Sequence, residues 1–208
     1  MSEPAGRTQQ ERRTDAERRL VAAAAELVAE TGPSRVTLAN VGERAGYSRG
    51  LATHHFGSKS ALMQRLVNAV THQFREAMIE QTVSDSPMDE LQALIDIYFH
   101  VMADLQPVNR ARLVLWADAV ATPSDDIRPA MVSADREFRE EIEKRIRLAV
   151  AAGVFPRAVD AQGLATVIIA MLRGVALQSL IDDHVDLDAA RREIEHLLSG
   201  RLTKGSGS

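Results

Sequence analysis

The chain has 208 residues, 45% apolar and 26% charged, which is enough for one large or two modest globular units with a real core and too apolar for a disordered chain. It contains no cysteine, which excludes disulfides, thiol nucleophiles and thiolate metal sites and suits a reducing cytoplasm. The net charge of −4 excludes a wholly basic nucleic-acid coat, but it is unevenly spread: residues 1–60 carry 9 Lys and Arg against 7 Asp and Glu, residues 61–208 carry 16 against 22. This is the pattern of a basic module on an acidic body, or of ordinary solvated faces.

Apolar residues recur at helical rather than alternating spacing, and no segment reads as a strand, so the sequence predicts an all-α fold. Residues 1–13 are polar and basic without an apolar leader segment and read as a flexible arm. Its Arg7, Arg12 and Arg13 fit either a minor-groove contact or a solvated tail. Thr14, Asp15, Ala16 and Glu17 spell a capping box, Leu20, Ala24 and Leu27 form a stripe, and Thr31, Gly32 and Pro33 stop it, which predicts a helix over residues 15–30.

Two short helices are expected next, over residues 37–45 and 48–56, with a turn at Gly46. Gly57 and Ser58 break the chain. Leu62, Leu66, Ala69 and Val70 then mark a linking helix over residues 59–82. Ser86, Pro87 and Asp89 are a strong start signal for a helix over residues 87–105. Helices over residues 109–121, 125–152, 160–183 and 188–199 complete the series. The apolar run of residues 164–172 ends at Arg173, short of a membrane span. Residues 203–208 end in Gly-Ser-Gly-Ser and read as an appended tail. No internal repeat is evident, which leaves a bundle rather than a solenoid.

Residues 37–56 meet the requirements of a DNA-reading helix-turn-helix, which needs two short helices joined at a steep angle by a tight turn so that the second enters a major groove. Gly46 supplies the left-handed turn residue, and Ser48 can cap the second helix and offer its hydroxyl or amide to a phosphate. Helical spacing turns Ala52 and Phe56 inward with Leu38 and Val41. Arg49, Gly50, Thr53 and His54 then form the outer face. Arg can bond guanine through two parallel hydrogen bonds, Thr offers a hydroxyl and a methyl, and Gly50 lets backbones approach. The same spacing also fits an ordinary helical corner with Arg49 as a solvated charge.

The run from Thr37 through Leu38, Gly42, Ala45, Gly46, Tyr47, Ser48, Arg49, Gly50, His55, Phe56 and Gly57 to Lys59 and Leu62 resembles the N-terminal signature of the tetracycline-repressor (TetR) family. The likeness covers about residues 14–70. It implies a DNA-binding head of three helices (residues 14–58), a linking helix (59–82) and a divergent body (83–202) that dimerises and binds a small molecule. Position by position, Thr37, Ser48 and Lys59 would hold phosphates, Arg49 and Gly50 would sit at the groove, and Thr53, His54 and His55 would reach bases or phosphates. Arg44 is a further extension, and His55 fits a structural hydrogen bond equally well. At Ala52, Thr53 and His54 the sequence departs from the larger side chains of many members, so no operator carries over.

In the body, the wide apolar stripes over residues 125–152 and 160–183 suit a four-helix dimer interface about a two-fold axis, or each subunit's own core. Tyr98, Phe99, Met102 and Trp116, with His100, Asp104 and Arg173 as polar groups, are candidates for an effector pocket or for plain packing. The expected partners are double-stranded operator DNA, a small-molecule effector and a second copy of the chain, with no membrane. The implied mechanism is repression relieved when ligand favours a body conformation that misplaces the two heads. No metal or cofactor site is expected; the adjacent His54 and His55 point about 100° apart on a helix of 3.6 residues per turn. The rival readings are a helical scaffold that never binds DNA and, more remotely, an enzyme, for which no phosphate loop, nucleophile elbow or paired-histidine zinc motif is present.

Overall fold

The structure, a computed structural model, describes residues 8–80, 86–104, 106–122 and 126–203, with the side chains of residues 79, 80 and 203 left out. Arg7, the ends of two expected helices at residues 82 and 105, the start of another at residue 125 and the Gly-Ser tail lie outside the described residues. Among the described residues, the regular elements are nine α-helices and one 3₁₀ turn, with no strand.

Helix α1 runs Gln9–Thr31, beginning six residues before the expected start. The cap is Thr8: its hydroxyl accepts from the Glu11 amide at 3.2 Å, and the Glu11 carboxylate accepts from the Thr8 amide at 2.7 Å. Thr14 and Glu17, read as the box, are inside the helix, and so are Arg12 and Arg13. A 3₁₀ turn, Pro33–Arg35, leads to α2 (Leu38–Arg44) and α3 (Arg49–Phe56). Thr37 caps α2, its hydroxyl accepting from the Asn40 amide while the Asn40 side chain accepts from the Thr37 amide. Ser58 caps α4 (Lys59–Glu80), its hydroxyl accepting from the Ala61 amide at 3.1 Å.

Helix α5 (Pro87–Ala103) starts at the Ser86 cap with Pro87 in its first turn, as the sequence predicts. Then follow α6 (Pro107–Ala121), α7 (Arg128–Ala151), α8 (Ala161–Ile181) and α9 (Leu187–Thr203). The Asp160 carboxylate caps α8 by accepting from the Gln162 amide at 3.2 Å.

The chain divides into two compact units. The first holds residues up to Val70 together with Arg110–Met131. Its core contains Leu20, Ala24, Val28, Val36, Val41, Ala52, Leu62, Leu66, Leu113 and Leu115, each withdrawn from solvent. A large apolar side chain at such a position contributes about 2 kcal/mol by burial. Polar ties join distant parts of this unit. Arg65 Nε donates to Glu17 at 2.6 Å, Arg110 Nε to the Ala29 carbonyl at 3.1 Å, and the Ser60 hydroxyl to Asp126 at 2.7 Å. Residues 110–131, expected within the body, therefore pack with the N-terminal helices.

The second unit holds Thr71–Asn109 and Val132 onward. There α5 packs on α8 and α9, and α8 on α9. Phe74, Tyr98, Phe99 and Phe138 form an edge-to-face cluster with ring centroids 5.3–6.2 Å apart, a favoured aromatic geometry.

Candidate nucleic-acid interface

The corner formed by α2 and α3 is built by backbone bonds and one missing side chain. The Gly46 amide donates to Glu43 O at 3.0 Å and the Tyr47 amide to Gly42 O at 2.9 Å. Gly46 has φ +78°, the left-handed region that favours glycine. At Gly42, inside α2, a Cβ would lie 2.7 Å from the Ser48 carbonyl oxygen, so the helices meet at a contact only glycine permits. Tyr47 pins the turn to α1: its hydroxyl accepts from Arg19 Nη1 at 3.4 Å, and the Arg19 guanidinium carbon sits 5.1 Å from the ring centre.

Against this frame α3 turns Ala52 fully inward and leaves Ser48, Arg49, Gly50, Thr53 and His54 exposed. The outer face derived from helical spacing is therefore the exposed one. Leu38 and Phe56, expected inside, are half-buried. His55 is also half-buried, its ring edge-on to His54 at 6.1 Å and tilted against Phe56 at 6.2 Å. Around Gly50 there is open space where a Cβ would go, so no neighbour in the structure requires glycine there. Ser48 occupies the N-cap position without a side-chain hydrogen bond to the helix.

The cations of the corner are engaged. Arg49 Nε donates to the Glu43 carboxylate across the turn, in a pair whose side chains are 77% and 49% exposed. Arg44 faces α1 instead, bonding both oxygens of Glu30 at 2.8 Å and Glu26 at 3.3 Å. The hydrogen bond from Arg44 holds the Glu30 carboxyl below its ordinary range, and the two carboxylates push the Arg44 pKa up. Lys59 Nζ donates to the Ser34 carbonyl at 2.9 Å. Its charge also opposes the rise that partial burial imposes on the Asp118 carboxyl. Thr37 is exposed at the head of α2. Thus Thr37, Ser48, Arg49, Gly50, Thr53 and His54 are exposed on the two short helices or their caps, whereas Arg44 serves as a strut between α2 and α1. The sequence motif includes Gly42 without giving it a role, and nothing in it singles out Glu43. A glycine inside a helix costs about 1 kcal/mol, so its presence there was a usable sign of close approach.

The seven effector candidates have different surroundings: Tyr98 is buried in the aromatic cluster. Phe99 and His100 line a cleft of about 450 Å³ between α5 and α9, with Asp96, Ile97, Leu187 and Arg191. Met102 is buried and does not line it; Asp104 is exposed at the end of α5, where its carboxylate accepts from Gln106 at 3.1 Å. Trp116 belongs to the first unit. Arg173 is tied to Asp135 of α7, both largely buried, with Arg139 on the other oxygen of that carboxylate at 3.3 Å. An apolar helix carries this arginine because the ion pair accommodates it.

The expected dimer stripes also separate. On α7, Met131, Ile142, Ile146 and Ala149 are buried within the chain. On α8 the buried face is Ala165, Ile168, Ile169, Leu172 and Ala176, which leaves Val167 51% exposed, and Leu197 of α9 is 62% exposed. Leu164, Val167, Met171 and Leu197 line an apolar groove of about 400 Å³ between these two helices. Helix α8 is also the one described helix long and apolar enough to cross a membrane, despite Arg173. In the loop after it, Asp182, Asp183 and His184 gather at the surface.

Residues 20–66 match the family described as bacterial regulatory proteins, tetR family, and residues 87–203, more than half of the chain, match the BetI-type transcriptional repressor C-terminal domain. The chain belongs to the TetR family of bacterial transcriptional regulators. Among curated relatives, the regulator is 26% identical over 178 residues to the HTH-type transcriptional regulator BetI 1 of Chromohalobacter salexigens, covering 84% of each chain. Its fold is similar to that of a TetR transcriptional regulator from Chloroflexus aurantiacus, with TM-score 0.83 and 21% identity over 92% of this chain and 98% of that one. A transcriptional regulator from Saccharomonospora viridis, solved in complex with choline, superposes with TM-score 0.78 at 23% identity, covering 91% and 98%. The regulator's family is one of DNA-binding proteins that control transcription, not of enzymes.

Proposed function

We propose that this regulator represses transcription by binding a palindromic operator as a homodimer in the cytoplasm, and that a small molecule releases it. The observation that carries the DNA contact is the exposed face of Arg49, Gly50, Thr53 and His54 on a rigid corner, with open space at Gly50. Arg49 reads a base edge, Thr53 and His54 reach bases or phosphates, and His55 supports them from its half-buried position. Thr37, Ser48 and Lys59 hold phosphates, and Arg44 orients α2 through α1. The head comprises α1 to α3 and α4 is the link to the body. The second copy docks through the groove between α8 and α9, because Val167 and Leu197 are large apolar groups left 51% and 62% exposed there.

The effector site we favour is the cleft between α5 and α9. Phe99 lines its wall, and Asp96 and Asp188 add carboxylates against the single Arg191, which Asp96 and Glu195 already neutralise. That chemistry suits a small organic cation, and choline, bound by one structural relative, is the first compound to try. The test is selection of duplex DNA from a random pool, followed by binding of the winner at two salt concentrations with and without choline. A palindromic winner with half-sites one helical turn apart or a multiple of it, bound more weakly as salt rises, supports the reading. No enrichment by folded protein at low salt would leave the corner as a structural feature and favour the scaffold reading.

A further inference from the structure

We propose that Glu43 tunes the DNA affinity of the head by competing with DNA for Arg49. The inference rests on the DNA-binding reading above and deepens it. Glu43 lies in the last turn of α2 and Arg49 is the first residue of α3. Both charges are at the unfavourable end of their own helix, since a helix C-terminus disfavours an anion and an N-terminus disfavours a cation. Neither helix gains from its own charge. Their pairing across the turn offsets both penalties, and it places a carboxylate beside the one arginine on the outer face of α3.

Arg44, the neighbour of Glu43, is taken up by Glu30 and Glu26 of α1, so it does not relieve Glu43 of its role toward Arg49. The remaining outer groups, Gly50, Thr53 and His54, bring no fixed charge. The magnitudes then order the outcomes. An exposed ion pair holds its partners by no more than about fivefold, comparable with a single phosphate contact in a salt solution. A two-bond contact between Arg and guanine discriminates by about 5- to 150-fold. Glu43 therefore competes evenly with the phosphates of arbitrary DNA for Arg49, and yields it where a guanine is in reach at the cost of the pair.

The experiment uses the full chain and compares Glu43→Gln with the parent on a selected operator and on a scrambled duplex of equal length, across salt. Glu43→Gln should tighten operator binding by up to about fivefold, the whole worth of the pair, and tighten binding to the scrambled duplex by less, with its salt slope steeper by up to about one. In the Arg49→Ala background the same substitution should affect both duplexes alike. A parent that discriminates while Glu43→Gln leaves its operator affinity unchanged overturns the role of Glu43 and spares the DNA-binding reading. Equal tightening on both duplexes, independent of Arg49, also overturns it, as simple removal of an anion. A parent with no preference for any duplex overturns the reading and this inference together. Matched melting curves show that the Glu43→Gln chain is folded.

Discussion

Gly42 and Ser48 meet so closely that a methyl group on the glycine would lie 2.7 Å from the serine carbonyl oxygen. Two effects of Gly42→Ala oppose each other. The helix gains up to about 1 kcal/mol in propensity, and the clash with backbone costs about 1–3 kcal/mol because a carbonyl cannot swing aside like a side chain. The clash wins: the melting temperature should fall by about 2–8 °C, and operator binding should weaken further as α3 tilts. An unchanged melting curve would show that the corner can open without cost.

Gly50→Ala should do the reverse. Open space surrounds the site and its backbone is helical, so alanine should leave stability unchanged or raise it by up to about 1 kcal/mol. If α3 faces DNA as proposed, the added methyl should still reduce operator affinity tenfold or more, by about 1.4 kcal/mol or above. Equal affinity of parent and variant would place the DNA elsewhere on the head.

The Arg44 strut makes a prediction about acid. Its hydrogen bond lowers the Glu30 carboxyl pKa in the folded chain, so the stabilisation is present above the ordinary Glu range and is lost as pH falls through the lowered value. Glu30→Gln should therefore melt below the parent at neutral pH and converge with it in strong acid. A gap that stays constant down to low pH would mean that packing, not charge, carries the difference.

Assembly should respond to Val167→Glu and Leu197→Glu, which put a charge in the groove between α8 and α9. Each should shift the chain toward monomer in sedimentation while leaving its helix content intact. Leu148→Glu is the control, since Leu148 is 61% exposed on α7 and outside that groove. A dimer that survives both groove charges but not Leu148→Glu would move the interface to α7.

Most helices were legible because periodicity and caps are local. Ser86 with Pro87 and Asp160 announce α5 and α8 within a residue or two. The start of α1 was misplaced because two capping boxes compete there, Thr8 with Glu11 and Thr14 with Glu17. The two residues between Glu11 and the later box, Arg12 and Arg13, offer no breaker, so the helix runs on to the earlier cap. The exposed face of α3 was legible for the same local reason. Pairing was not. Glu43 and Arg44 are neighbours in sequence yet bond to α3 and α1 respectively, and nothing in their spacing says so. Trp116 and Phe99 both sit on apolar helices, but periodicity tells which face is apolar and not which helix it meets, so they were grouped although they belong to different units. On α8, apolar residues ring nearly the whole helix, and a stripe cannot then separate a chain's own core from a face left open.

The ties from Arg110 to Ala29 and from Ser60 to Asp126 make the head something other than a detachable N-terminal cassette. Its α2 and α3 corner depends on near neighbours in sequence and can close early. The segment that completes it is made last: at about 5–20 residues per second the ribosome needs about 3–12 seconds to travel from residue 70 to residue 131. A chimera joined after α4 would graft the DNA-reading corner onto a foreign body without residues 110–131, leaving the end of α1 without Arg110. Any exchange of heads between such regulators has to carry that segment with it.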